Sequence, residues 1–89
     1  MDIFLVAPTK FGDVIRRKAV EMVKEENIKD IGNGCFFIAV AEPMPIDQIK
    51  TEIGLTGKDG GGFGVIVKVA NYGGYADRSI GDWLEVKDV

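Results

Sequence analysis

An α+β fold, ordered β-α-β-β-α-β with an added C-terminal helix, is what this 89-residue chain predicts. Three observations carry the prediction: a helical apolar period follows a first apolar run, a Gly-Asn-Gly turn joins two strand-like runs, and a period-two segment follows a second helical pattern. The length fits a single domain over residues 1–89, with no internal repeat and no internal boundary.

Ile3, Phe4, Leu5, Val6 and Ala7 form a short apolar run that Pro8 stops, as in a strand buried on both faces. Phe11-Gly12-Asp13 then introduces a helix, with Asp13 placed to accept hydrogen bonds from the first turn and to favour its positive end. Ile15, Ala19, Met22 and Val23 recur at helical spacing, while Arg16, Arg17, Lys24 and Glu25 face outward. The result is an amphipathic helix of about 14 residues ending near Asn27.

Residues 28–31 make a short polar arm, and Gly32-Asn33-Gly34 supplies the positive φ angles of a tight hairpin into Cys35-Phe-Phe-Ile-Ala-Val-Ala41. That second arm is apolar on both faces, with Cys35, Phe37 and Ala39 on one and Phe36, Ile38 and Val40 on the other. Pro45 is tolerated in a first helical turn, and Ile46, Ile49 and Ile53 line one side of a second helix. After a linker, Lys58-Asp-Gly-Gly-Gly62, the odd residues Phe63, Val65, Val67 and Val69 alternate with Gly64, Ile66, Lys68 and Ala70. Ser79, three residues before Asp82, fits a capping box, and Ile80, Trp83 and Leu84 form the apolar face of a final helix.

This alternation gives a split βαβ, ferredoxin-like four-stranded antiparallel sheet, strand order 4-1-3-2, with both main helices on one face. The first and third strands are then central and apolar on two faces, yet the main helices cover one. The Trp83 helix, a second copy of the chain or a partner has to cover the other, and a symmetric homodimer is the favoured expectation.

Composition limits the function. A net charge of -3 and a pI near 4.8 argue against a dedicated nucleic-acid binder. Arg16, Arg17 and Lys18 are consecutive, so on a helix they spread around a solvated rim. The chain has no histidine, which removes histidine-activated nucleophiles and the usual zinc ligand sets. Its one cysteine, Cys35, sits in an apolar run and reads as a small buried hydrophobe. The first residues lack the basic region and apolar length of a signal or membrane span, so a cytoplasmic setting is expected.

Few segments invite chemistry. The run from Lys58 to Gly64 is glycine-rich, but it leads from a helix into a strand, whereas phosphate loops lead from a strand into a helix N-terminus. Phe36, Phe37 and Phe63 lie where RNA-recognition sheets stack bases, but the basic consensus is missing and packing explains them. Tyr72 and Tyr75, on a Gly73-Gly74 turn, either present flat amphipathic surface or fold over the core edge with Trp83. Asp77, Asp82, Glu85 and Asp88 make the C-terminus acidic. No catalytic constellation, metal ligand set or cofactor motif is read from the sequence. Tyr72, Tyr75, Asp77, Asp82 and Trp83 are the candidate interaction surface.

The run Gly64-Val-Ile-Val-Lys-Val-Ala-Asn-Tyr-Gly-Gly-Tyr-Ala-Asp-Arg-Ser-Ile-Gly-Asp-Trp-Leu84 resembles the C-terminal signature of small SinR-like proteins, a strand followed by a tyrosine-glycine turn and a tryptophan-containing helix. The Gly-Asn-Gly hairpin and Ile49-Lys-Thr-Glu-Ile-Gly-Leu55 fall in the same order. The resemblance implies a ferredoxin-like fold, similar to the small CRISPR adaptation subunit and to virulence-associated D-type ribonucleases, and it implies dimerisation. Those nucleases hold a metal with an aspartate at the end of the first strand. Here Ala7-Pro8-Thr9 stands there, and the nearest acid, Asp2, is at the strand's beginning. The expected function is therefore a small acidic, non-enzymatic protein-interaction module, an adaptor or inhibitor that meets a basic protein surface as a homodimer. The alternative is a degenerate metal-dependent nuclease or nucleic-acid-binding protein.

Overall fold

The computed structural model describes residues 1–58 and 60–88. Its elements are β1 (Asp2–Lys10), α1 (Gly12–Val23), a 3₁₀ turn (Glu25–Asn27), β2 (Ile28–Gly32), β3 (Cys35–Val40), α2 (Ile46–Glu52), β4 (Phe63–Lys68) and α3 (Arg78–Lys87). The strands make one antiparallel sheet in the order β2-β3-β1-β4.

β1 runs through Pro8 rather than stopping before it, because the missing N–H costs nothing at that point. The Val69 N–H donates to the Ile3 carbonyl at 2.8 Å, so Ile3, Leu5 and Ala7 turn their backbone groups toward β4 and the even residues turn theirs toward β3. Pairing with β3 ends at Val6 opposite Phe36. The proline therefore meets no acceptor there and sits on what is locally an edge.

The even residues Phe4, Val6, Phe36, Ile38 and Val40 share one core with Ile15, Ala19 and Val23 of α1 and with Ile49 of α2 and Ile53 just past it. Both helices therefore pack on the same face of the sheet. On the opposite face Ile3 and Ala39 are also buried, and α3 is what lies there, with Trp83 stacked on Phe37 at 6.4 Å between ring centroids.

The turns and caps follow local chemistry with three departures. Asn33 (φ 56°) and Gly34 (φ 76°) form the two-residue hairpin, both in the left-handed region such a turn needs. α1 starts from Phe11 in a left-handed conformation with no side-chain cap, and Asp13 lies inside the first turn, where its charge still faces the free N–H groups. The helix stops at Val23 because Lys24 leaves helical space; the Asn27 side chain then donates to the Val23 carbonyl at 2.8 Å. Pro45 is the extended residue before α2, not part of its first turn. Ser79 is no cap: the first turn of α3 closes earlier, with Ile80 N–H donating to Asp77 O at 2.9 Å, so Asp77 holds the cap position and Ser79 is helical.

The glycine-rich segment is not a loose linker. Asp59 lies outside the described residues, but Gly61 and Gly62 are buried, and Gly62 N–H donates to Gly54 O at 2.7 Å while its carbonyl accepts from Gly57 N–H at 2.9 Å. A Cβ on Gly62 would run into the fully buried Ile15 side chain, and one on Gly61 into Thr56 Oγ1. Cys35, at the start of β3, is half-buried rather than buried, because β1 pairs no further than Phe36 on that side.

Arg16 does more than decorate a rim. Its guanidinium grips Asp30 of β2 with two bonds (Nε 2.9 Å, Nη2 2.8 Å) and Glu25 with a third at 2.9 Å. These bonds hold the Asp30 carboxyl below its ordinary range and the Arg16 guanidinium well above its own. A depressed carboxyl stabilises the fold above its unfolded pKa and loses that contribution as pH falls through the folded value. The side chain of Asp30 is 58 % exposed and that of Arg16 34 %, so solvent limits the pair to about 1 kcal/mol.

Urea unfolding should therefore show Asp30→Asn less stable than wild type by about 1 kcal/mol at neutral pH, with the gap closing below about pH 4. A gap unchanged from pH 7 to pH 2.5 would show that the carboxylate charge is not the source. Gly62→Ala should lower stability by about 1–3 kcal/mol in the same measurement, since Ile15 has nowhere to move.

Candidate functional site

The segment between β4 and α3 crosses from one side of the sheet to the other. Its residues 70–76 have extended or irregular backbone, and no hydrogen bond from their backbone groups is formed among the described residues. Glycines 73 and 74 have open space where a Cβ would be. Tyr75 stands fully in solvent, and Tyr72 is 43 % exposed. The ring that Trp83 covers is Phe37, so the tyrosines are left to face outward.

α3 is held against the sheet at three points. Trp83 stacks on Phe37 with 21° between the ring planes, its indole N–H donates to the Glu26 carbonyl at 3.2 Å, and Leu84 is buried. The Glu26 carbonyl lies in the turn leading into β2, so this bond ties α3 to the β2 edge. α3 thus covers the β2–β3 half of the second face and leaves Leu5, Ala7, Val65 and Val67 of the β1–β4 half partly or largely open.

Between the loop and α3 lies a groove of about 630 Å³. Ile31 and Phe37 of the sheet form its floor, Leu84 and Ile80 line it on the α3 side, and Tyr72 and Tyr75 border it on the loop side, Tyr75 with its ring out in solvent. Asp77, Asp82 and Glu85 supply carboxylates at its rim against one guanidinium, Arg78, which approaches Asp82 at 4.0 Å. The floor is apolar and the rim is net negative. All four charged residues are exposed, so their field is screened beyond a Debye length of about 8–10 Å.

The structure brings four of the five sequence-derived residues, Tyr72, Tyr75, Asp77 and Asp82, to this one groove, with Trp83 behind it as the support for Phe37. Ile31 and Phe37 had no place in that set. Phe37 carried a signal, its position on the strand face away from the main helices, but which element would land there is a tertiary question. Asp2 is half-buried and pairs with Lys68 at 3.8 Å, across β1 and β4. Among the described residues no group of three or more histidine, cysteine, aspartate or glutamate side chains is placed to hold a metal ion. No helix among them is long and apolar enough to cross a membrane.

Comparison of the chain with family models, with curated proteins and with solved structures gives no match.

Trp83→Ala should cost about 2–3 kcal/mol, less than a fully buried tryptophan, and should raise amide exchange throughout α3 while α1 keeps its protection. Trp83→Phe keeps the stack but loses the bond to Glu26, at a cost of about 1 kcal/mol. Exchange by mass spectrometry separates the two variants; a Trp83→Phe protein that protects α3 like wild type would mean the indole N–H contributes nothing.

Proposed function

We propose that this chain is a small protein-interaction module, an adaptor or inhibitor, that takes an extended basic segment of a partner protein into the groove between residues 72–77 and α3. The observation that carries this reading is Tyr75: a large amphipathic ring fully in solvent, on a loop with no internal backbone bonds, beside an apolar floor. A ring so placed gains most by burial against a partner, the property of an interface anchor. The partner's charge follows from the rim, where three carboxylates face one guanidinium. The unpaired backbone groups of the loop offer an extended segment main-chain hydrogen bonds.

The reading is of binding, not catalysis, and its support is the character of the groove, whose charged groups are all at the exposed rim. A ferredoxin-like arrangement is supported by the strand order and by α1 and α2 sharing one core. With it goes a distant relationship to SinR-like proteins, supported by the tyrosine-glycine turn leading into the Trp83 helix. The acidic composition and a lone unpaired cysteine fit a cytoplasmic setting.

A displayed library of peptides bearing lysine or arginine around one aromatic or aliphatic residue tests the reading. The wild type should select such peptides, and in calorimetry Tyr75→Ala should weaken a selected one at least about tenfold with the circular dichroism unchanged. Asp82→Asn should weaken it less and flatten its salt dependence. If both variants bind like wild type, the groove is not the site.

A further inference from the structure

The two edges of the sheet are not alike. β2, at one edge, is short and carries Lys29 and Asp30, and the Trp83 indole is bonded to the turn that leads into it. β4, at the other edge, has one charge, Lys68, at its end and no proline; the irregularity in its ladder lies on the β1 side, between Pro8 and Lys10. Val65 is 58 % exposed and Val67 45 %. Such an edge lacks the usual guards against strand addition.

Its backbone is set for pairing. Ile3 and Val69 are a hydrogen-bonded pair, so the alternation makes Leu5–Val67 and Ala7–Val65 hydrogen-bonded pairs as well. Gly64, Ile66 and Lys68 therefore direct their N–H and C=O groups away from β1, to the outer edge, where no strand lies among the described residues.

We infer that β4 pairs antiparallel with β4 of a second copy of the chain, about a two-fold axis through Ile66. The sequence of the strand is self-complementary in that register. Ile66 meets its own copy, and Gly64 meets Lys68. All three pairings join outward-facing residues, so each forms two backbone hydrogen bonds. Lys68 falls opposite a glycine, so the strand's one charge does not face its like across the axis, and its existing partner Asp2 stays in reach. Val65 meets Val67 on the open face, which extends each half-covered face into two apolar rows, Leu5–Val67–Val65–Ala7 and the converse. Any register shifted by one residue would set inward-facing groups against outward ones. The pairing is isologous, so it closes at two copies instead of growing a fibre. It leaves the groove, which lies over β2 and β3, unobstructed.

Sedimentation equilibrium with amide exchange by NMR tests this. The chain should dimerise on concentration, with Gly64, Ile66 and Lys68 amides protected in the dimer and exchanging on dilution, while Val65 and Val67 amides stay protected in both. The double variant Val65→Lys/Val67→Lys puts like charges opposite one another, and its dimer should be weakened at least tenfold, with Trp83 fluorescence reporting an intact fold. Mixing it with Val65→Glu/Val67→Glu should restore a heterodimer. A monomer at all concentrations, a dimer whose Gly64, Ile66 and Lys68 amides exchange freely, or a lysine variant that dimerises like wild type would each overturn the inference.

Discussion

A sheet whose two central strands are apolar on both faces has to be covered twice, and that requirement governs this molecule. In β1, Ile3 and Phe4 are adjacent and both buried; in β3, Ile38, Ala39 and Val40 are consecutive and all buried. Neighbouring strand residues point to opposite faces, so no single layer of helix can satisfy them. α1 and α2 serve one face and share its core. The other face has one helix, α3, which lies over the β2–β3 half and leaves Val65 and Val67 of β4 exposed. Much of what is distinctive here, the groove on one half of that face and the open valines on the other, follows from this shortfall.

Polar groups fix how the layers sit on the sheet. Arg16 joins α1 to β2 and to the turn between them by three bonds, and the indole of Trp83 joins α3 to the same turn through the Glu26 carbonyl. The turn Glu25–Asn27 is thus gripped from both faces of the sheet. Neither grip is strong alone, since both carboxylates are exposed and the indole bond is neutral. Together they give the β2 edge two attachments, and among the described residues β4 has none comparable.

Features set by local chemistry were legible in the sequence. The hairpin is one, because Asn33 and Gly34 tolerate the positive φ their turn demands wherever they occur. The period of Ile15, Ala19 and Val23, and that of β4, are others. Where the reading failed, the deciding contact was distant. Pro8 ends a strand only if a neighbour needs its N–H, and β3 had already run out. Gly61 and Gly62 look like a linker until Ile15 and Thr56 are seen beside them. Ser79 and Asp82 have the spacing of a capping box, but Asp77 closes the turn first. The site divides in the same way. Tyr72, Tyr75 and the acids were visible as residue types, whereas the floor of Ile31 and Phe37 needed knowledge of where α3 docks.

The attachment of α3 has a thermodynamic side. Its hold on the sheet rests on Leu84, one ring stack and one hydrogen bond, far less buried surface than α1 commands. So small a hold makes α3 the element expected to open first, with the main core still folded. The groove exists only while α3 is down, so anything bound there must favour the closed form by linkage, and the opening equilibrium subtracts from every affinity the groove can show. Substitutions that never touch a ligand, at Phe37 or on the Glu25–Asn27 turn, would then tune recognition as a rheostat does, by setting how often the site is assembled.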